Sequence, residues 1–209
     1  MMPARRCALR LFFAWQCLVL MPILRVLLQL RVRGARLARG RRGMIFAPNH
    51  QSWIDPLVVQ YAVYPHRITF LMTELYFDLP VAGLYFRAAG AWVVREAGPS
   101  VSGLRAALDA LEDGEAVCLF PEGELTRTGH IGRGRRGVAH LARRTGVEVV
   151  PVGVRGAIRV FSRLQTRLRL RAVEVRLGAP MRYDEEESRE GEERFTLRLM
   201  ERITELAES

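Results

Sequence analysis

Residues 44–64 read MIFAPNHQSWIDPLVVQYAVY, and this stretch decides the fold of the chain. Residues 44–47 are all apolar and predict a short buried strand, whereas residues 55–64 have apolar residues at helical spacing and predict a helix. A strand followed by a loop and a helix is the repeating unit of an α/β domain. In such domains ligands bind beyond the carboxyl ends of the strands. The polar loop between the predicted strand and helix is therefore the first place to look for function.

The same alternation continues to the end of the chain. Residues 167–177 alternate apolar and charged side chains and predict a half-exposed strand, and residues 189–207 predict a closing amphipathic helix. Short apolar runs predict strands at residues 68–72, 91–94, 116–120 and 147–152, and helical patterns occupy residues 80–88, 100–113 and 135–144. We therefore expect an α/β fold with helices flanking a central sheet.

Composition and charge narrow the classes of function. A chain of 209 residues with 49% apolar residues can build one sizeable core, and a net charge of +10 favours an anionic partner. All the basic side chains counted in that charge are arginines. Residues 1–42 hold ten arginines and no acid, whereas residues 184–209 hold ten acids and four arginines. The three cysteines form no C-x-x-C pair, so neither a disulfide framework nor a metal site is expected.

The N-terminal segment indicates contact with a membrane. Residues 11–24 are apolar apart from Gln16, and arginines flank the run on both sides. Arg25 would cost a spanning helix ~3 kcal/mol near its centre, so one full crossing is not favoured. Symmetric basic flanks suit a helix that lies in the interface or enters one leaflet. A buried core helix is the alternative, and a cleaved signal peptide lacks its small-residue cleavage site.

The loop after the first predicted strand carries a candidate base. His50 lies in this loop, and Asp55 is five residues further on, where its carboxylate can accept from the imidazole and fix its tautomer. A histidine held in this way acts as a general base. The alternative is structural, because Asp55 followed by Pro56 also fits a helix N-cap with proline at the first helical position.

Two further strand ends carry polar candidates. Glu122 and Gly123 follow the predicted strand 116–120, where a carboxylate held in a tight turn could orient a hydroxyl, although a plain turn explains the same residues. Arg95 ends the predicted strand 91–94, where a guanidinium suits a phosphate, with a surface arginine as the alternative.

Together these stretches resemble the glycerolipid acyltransferases of the lysophosphatidic acid acyltransferase type. The family's N-H-x-x-x-x-D box matches NHQSWID at residues 49–55, and its other boxes match GAWVVR at 90–95, FPEG at 120–123 and VVPV at 149–152. The third box departs from the family pattern, because Glu124 and Leu125 stand between the glycine and Thr126-Arg127.

The resemblance implies a fold and an activity. The fold would be a single acyltransferase domain with a central mixed sheet, and the reaction would transfer a fatty acyl group from acyl-CoA or acyl-carrier protein to a lysolipid hydroxyl, without metal or cofactor. His50 would be the base and Asp55 its orienter. The sequence does not identify the oxyanion donors, and backbone N–H groups beyond the first box are candidates. The residues expected to bind substrate are Asn49, Ser52, Arg95, Glu122, Gly123 and Pro151.

The predicted organisation has three parts. Residues 1–42 would associate with the membrane, residues 43–182 would form the acyltransferase domain, and residues 183–209 would form an acidic linker and helix. We expect lysophosphatidic acid as acceptor at the cytoplasmic face of the inner (plasma) membrane. Lysophosphatidylethanolamine and a lyso-ornithine lipid are alternative acceptors. A lipid hydrolase and a non-enzymatic basic protein that binds membranes or nucleic acid are alternative functions.

Two further stretches are rich in arginine, and the question for each is which partner its arginines meet. Residues 132–137 read GRGRRG but lack the context of a dinucleotide site, so their arginines meet donor phosphates or solvent. Residues 155–176 hold seven arginines but no zinc spacing, RNP box or helix-turn-helix signature, so no nucleic-acid partner is expected.

Overall fold

The computed structural model describes residues 11–38, 43–73, 92–94 and 101–209. In these ranges it has seven strands, five longer helices and two short 3-10 helices at Ala35–Leu37 and Ala157–Arg159. The strands are β1 (Arg31–Arg33), β2 (Met44–Pro48), β3 (Ile68–Thr73), β4 (Trp92–Val94), β5 (Ala116–Cys118), β6 (Glu148–Arg155) and β7 (Glu174–Leu177). The helices are α1 (residues 11–27), α2 (Asp55–Ala62), α3 (Val101–Glu112), α4 (Gly137–Thr145) and α5 (Arg189–Glu208).

The strands form one mixed sheet in the order β1-β7-β6-β2-β5-β3-β4. Neighbouring strands are parallel except β6 and β7, which are antiparallel. Strand β2 lies near the centre and all five of its residues are buried, as expected for a parallel strand covered on both faces. The predicted α/β fold with a mixed sheet and flanking helices is confirmed.

Side chains alternate between the two faces of the sheet and build two cores. Met44 and Phe46 of β2 pack with Val58 and Val59 of α2 on one face. Ile45 and Ala47 point to the other face, where they pack with α3, α4 and α5. The helices therefore cover both faces of the sheet. The loop that carries His50 begins at the carboxyl end of β2.

Helix α5 lies very close to β6. A Cβ atom on Gly153 of β6 would lie 2.4 Å from the carbonyl carbon of Leu206, so only glycine allows this approach. Phe195, Leu199 and Ile203 of α5 are completely buried on the same face of the sheet. The predicted amphipathic helix at the end of the chain thus closes one of the two cores.

Helix α1 is the predicted N-terminal helix, with a π-helical turn at Gln16–Leu20 followed by α-helix at Met21–Leu27. Gln16 and Met21 are buried, and Leu28 after the helix joins the core. The opposite side is apolar and exposed, with Leu18 78% and Val26 75% accessible. Within the described residues, no helix combines the length and apolar character that a membrane crossing needs.

Two segments differ from their predicted structure. Residues 31–33, expected within the membrane-association segment at residues 1–42, form edge strand β1 beside β7, and Arg33 pairs with Glu174 at 2.7 Å. Of the strand predicted at residues 167–177, only Glu174–Leu177 is a strand, because the backbone pairs with β6 and β1 only there. The helix predicted at residues 80–88 lies outside the described residues.

Candidate active site

His50 and Asp55 meet at the carboxyl end of β2. The Nδ1 atom of His50 lies 3.0 Å from Oδ2 of Asp55, and the two side chains are 13% and 0% exposed. A carboxylate only accepts hydrogen bonds, so Nδ1 carries the proton and Nε2 keeps its lone pair. The ring of Phe120 stacks on the imidazole at a centroid distance of 4.0 Å and an angle of 24°. The imidazole is thus fixed by one hydrogen bond and one aromatic face.

The Asp55 carboxylate organises the loop as well as the histidine. Its Oδ2 atom accepts from the backbone N–H groups of Gln51 and Ser52, both at 2.7 Å. The N-cap position of α2 is Ile54, and Asp55 bonds to residues that precede it rather than to the first turn of the helix. The N-cap alternative is therefore wrong, because the carboxylate accepts hydrogen bonds from the loop before α2 and none from the first turn of the helix. Its Oδ1 atom is buried and has no hydrogen-bond partner among the described residues.

Asn49 and Ser52 hold this loop against distant parts of the chain. The Asn49 side chain donates to the carbonyl of Val154 at 3.0 Å and accepts from the N–H of the same residue at 2.7 Å. The Ser52 hydroxyl donates to the carbonyl of Phe161, which also accepts from the N–H of Trp53. Both side chains are 0% exposed. These contacts position the loop, and their contact with substrate stays a prediction.

Glu122 bridges the histidine loop and the glycine-rich loop at residues 129–134. Its Oε1 accepts from the N–H of His50 at 2.7 Å, and its Oε2 accepts from the N–H of Gly132 at 2.8 Å. Burial raises the pKa of this carboxyl above its ordinary value, and the two backbone hydrogen bonds oppose that rise. The carboxylate thus sets the distance between His50 and the glycine-rich loop, and its contact with a substrate hydroxyl stays a prediction.

Gly123 and Arg135 form a contact that the sequence did not reveal. Gly123 has a φ of +76°, and a Cβ there would lie 2.8 Å from Nε of Arg135. The backbone N–H of Arg135 donates to the carbonyl of Pro121 at 2.8 Å, which fixes the arginine beside the FPEG turn. Two arginines of the GRGRRG stretch at residues 132–137 have different neighbours. Arg136 pairs with Glu192, whereas the side chain of Arg135 lies against Gly123. Only the tertiary fold brings residues 123 and 135 together.

The other predicted residues occupy different places. Pro151 is buried in β6 and pairs in register with Ala47 of β2, so it lies in the sheet behind the loop. Arg95 lies outside the described residues. Arg127 is exposed and pairs with Glu124 at 3.1 Å. Cys118 is completely buried in the core, and burial, followed by the charge of Asp55, raises the pKa of its thiol well above the ordinary value.

The backbone N–H groups of the first box and of the first turn of α2 already have hydrogen-bond partners. The N–H groups of residues 50–52 donate to Glu122 and Asp55, and those of residues 53 and 54 donate to Phe161 and Ser52. The N–H groups of residues 55, 57 and 58 donate to the backbone carbonyls of Ser52 and Ile54, which precede α2, and Pro56 has no N–H group. Each of these donors is therefore already hydrogen-bonded within the chain.

The arrangement suits proton abstraction from a hydroxyl group. It provides an oriented imidazole with a free Nε2, a buried carboxylate behind it and a rigid loop around both. Within the described ranges, no group of three or more His, Cys, Asp or Glu side chains is placed to hold a metal ion.

Comparisons of sequence and structure relate this chain to known proteins. A sequence profile of the family described as Acyltransferase matches residues 29–155. The 1-acyl-sn-glycerol-3-phosphate acyltransferase of Bacillus subtilis is 25% identical over 114 residues, which cover 54% of this chain and 56% of that protein. A chloroplastic 1-acyl-sn-glycerol-3-phosphate acyltransferase of Arabidopsis thaliana is 26% identical over 119 residues, covering 56% of this chain and 33% of the relative. The chain thus spans about half or less of these curated relatives.

A solved structure extends the likeness to the whole fold. The crystal structure of the 1-acyl-sn-glycerophosphate (LPA) acyltransferase PlsC from Thermotoga maritima superimposes with a TM-score of 0.73. The match covers 99% of this chain and 82% of that one at 21% sequence identity. At this identity the likeness shows a shared fold.

Proposed function

Because the chain belongs to the Acyltransferase family, we propose that it moves a fatty acyl group from acyl-CoA or acyl-carrier protein to the free hydroxyl of a lysophospholipid. The observation that carries the proposal is the 3.0 Å contact between Nδ1 of His50 and Oδ2 of Asp55, which leaves Nε2 as the acceptor of the substrate's proton. The box that holds these two residues lies within the matched range.

The reaction needs one base and two aligned substrates. Nε2 of His50 takes the proton of the acceptor hydroxyl while that oxygen attacks the carbonyl carbon of the thioester. The C–S bond then breaks, and the thiolate takes the proton back from the imidazolium. A thiol with a pKa of about 8.5 leaves readily, so the difficult step is the activation of the alcohol. Asp55 stabilises the positive charge that the imidazole carries between these steps.

Lysophosphatidic acid is the acceptor that we propose first. Arg95, which follows β4 in the sequence, would form paired hydrogen bonds with a phosphate. Arg135 beside Gly123 supplies a second guanidinium next to the turn that carries Glu122. The names of the curated relatives, 1-acyl-sn-glycerol-3-phosphate acyltransferases, support the same acceptor.

The proposed place of action is the cytoplasmic face of the inner (plasma) membrane. Among the described residues, twelve large hydrophobic side chains are exposed, and seven of them lie on α1. An apolar helix side flanked by arginines fits an anionic bilayer surface, because the leucines enter the acyl region and the arginines meet the headgroups.

The decisive experiment is product analysis with the purified full chain. A labelled acyl-CoA and the matching acyl-carrier protein are each incubated with lysophosphatidic acid, lysophosphatidylethanolamine, a lyso-ornithine lipid or no acceptor. We expect labelled phosphatidic acid as the main product, and its rate of formation should fall at least about 100-fold in His50→Ala. Labelled free fatty acid at the same rate with and without acceptor would instead identify a hydrolase.

Arg95→Ala tests the choice of acceptor. The KM for lysophosphatidic acid should rise about 10- to 150-fold while the KM for the donor stays constant, because a charged hydrogen-bond pair contributes about 1.5–3 kcal/mol. A rise in the donor KM alone would place Arg95 at the donor's phosphate and refute the acceptor assignment.

A further inference from the structure

The segment at residues 163–171, here called the arginine–leucine loop, presents apolar side chains to solvent. Leu164, Leu168 and Leu170 are 57%, 67% and 54% exposed. Together with the seven on α1 they make ten of the twelve exposed large hydrophobic side chains in the described part of the chain. Exposed apolar residues concentrated in this way mark a site of interaction.

The charge of the same region has a single sign. Residues 149–173 contain six arginines and no acid. Arg163, Arg167, Arg169 and Arg171 are all exposed, and within the described residues no carboxylate pairs with any of them. By contrast, the exposed arginines of α5, such as Arg194 and Arg202, each pair with a glutamate. The loop therefore offers unpaired positive charge to an anionic partner.

Three of the region's arginines line one open cavity. Its volume is about 480 Å³, and its lining residues are Ile158, Arg159, Leu164, Gln165, Arg169 and Arg171. Guanidinium groups gathered beside apolar side chains suit a phosphate headgroup whose acyl chains lie next to it.

The backbone joins the loop to both α1 and the active site. The N–H of Val173 donates to the carbonyl of Leu28, directly after α1, at 2.9 Å. At the other end of the loop, the carbonyl of Phe161 accepts from the hydroxyl of Ser52 and the N–H of Trp53. The loop thus begins two residues after a contact with the loop that carries His50, and it ends two residues before a contact with the end of α1.

We propose that the arginine–leucine loop is a second membrane-contact element, which binds the surface of an anionic bilayer together with α1. Leu164, Leu168 and Leu170 enter the boundary between headgroups and acyl chains. The arginines hold lipid phosphates, one of them in the cavity of Arg159, Arg169 and Arg171. This inference rests on the membrane association proposed above and adds a second contact, in a segment joined through the Phe161 carbonyl to the loop that carries His50.

Binding to vesicles tests the charge of the loop. The full-length triple variant Arg167→Gln/Arg169→Gln/Arg171→Gln is sedimented with phosphatidylcholine vesicles that contain or lack phosphatidylglycerol. An arginine near an anionic surface contributes about 1 kcal/mol, so binding to the anionic vesicles should weaken about fivefold per residue and about a hundredfold in total. The matched control is Arg189→Gln/Arg194→Gln/Arg202→Gln on α5, which removes the same charge and should bind like the wild type.

The leucines are tested in the same assay. Leu168→Ser/Leu170→Ser should weaken binding about tenfold or more, since each loses the burial of a large aliphatic side chain. Leu197→Ser is the control, because Leu197 is 59% exposed but lies on α5. As a second measurement, Leu168→Trp should gain blue-shifted fluorescence with anionic vesicles, whereas Leu197→Trp should not.

Each outcome decides a different point. If the wild type binds vesicles and the loop variants bind equally well, the inference is overturned and the association proposed for α1 survives. If the wild type does not bind, both fail. Acyl transfer between a short-chain donor and a soluble acceptor should keep its kcat and both KM values in the loop variants. A rise in the donor KM would assign the cavity to the donor's phosphates and overturn the inference.

Discussion

The loop at residues 49–55 and the arginine–leucine loop are close in the structure, but they differ in burial and in how their polar groups are paired. In the first, Asn49, Ser52 and Asp55 are completely buried and almost every polar atom is bonded within the chain. In the second, the leucines and arginines face solvent and no carboxylate of the described residues pairs with the arginines. The carbonyl of Phe161 joins the two.

This difference in construction predicts a difference in response. A site held by interlocking hydrogen bonds fails as a unit when one member is replaced, because each bond positions the next. A surface with several similar contacts loses affinity in small independent steps. The following experiments test that distinction, from the largest expected effect to the smallest.

Replacing the base should have the largest effect. His50→Ala should lower kcat for acyl transfer about 10²–10⁴-fold, the usual contribution of general-base catalysis. The matched control is His130→Ala, whose exposed histidine lies in the neighbouring loop and should keep wild-type turnover. The circular dichroism spectrum should be unchanged in both. Equal activity of the two variants would remove His50 from the mechanism.

Replacing the Asp55 carboxylate should affect catalysis more than folding. In Asp55→Asn the amide oxygen can take the position of Oδ2 and accept the same three N–H groups, so the melting temperature should change little. The neutral amide no longer stabilises the imidazolium, and kcat should fall about 10- to 150-fold, as for the loss of a charged hydrogen bond. The double variant with His50→Ala should be no slower than His50→Ala alone. Additive losses would show that the two residues act independently.

Glu122 predicts a pH dependence of stability. Because burial raises the pKa of its carboxyl above the ordinary 4.5, the folded protein holds this proton more tightly than the unfolded chain does. The resulting stability is fully present below pH 4.5 and is lost as pH rises through the raised pKa. Denaturant titrations at several pH values should therefore show wild type losing stability relative to Glu122→Gln as pH rises.

The control for this experiment is Glu124→Gln, two residues away. Glu124 is exposed and pairs with Arg127. Its substitution should leave the pH dependence of the wild type in place. A pH dependence retained in Glu122→Gln would assign the proton to another group.

The smallest single effects should come from the arginine–leucine loop. Arg167→Gln, Arg169→Gln and Arg171→Gln should each weaken binding to anionic vesicles about fivefold. Their effects on the free energy of binding should add within about 0.5 kcal/mol in the combined variants. Strong coupling among the three would mean that this loop, too, is a precisely organised site.

The sequence predicted the first of these regions far better than the second. His50, Asp55 and Glu122 follow strands whose apolar runs are easily recognised, so their meeting at one end of the sheet was predictable. Contacts set by tertiary structure were not, because nothing local to Gly123 indicates Arg135. The roles of Asn49 and Ser52 depend on carbonyls more than 100 residues away.

The strand predicted at residues 167–177 was right only at Glu174–Leu177, and residues 167–173 show why. Alternating leucines and arginines are typical of a half-buried strand, yet only Glu174–Leu177 has partner strands. Periodicity reports that one face is apolar, but it does not reveal whether that face meets the core or another surface. Strand β1 was missed because Val32 is its only apolar residue.

The hydrogen bonds between Asn49 and Val154 have a consequence for the order of events while the protein is synthesised on the ribosome. They join positions 105 residues apart, and β6, which contains Val154, also pairs with β2 along its length. A ribosome adds roughly 5–20 residues per second, so His50 is made roughly 5–20 seconds before its loop can be held in place. Until then the nascent chain contains His50 without the contacts that hold its loop in place. The loop that carries the proposed base is therefore completed late in translation, when β6 has been made.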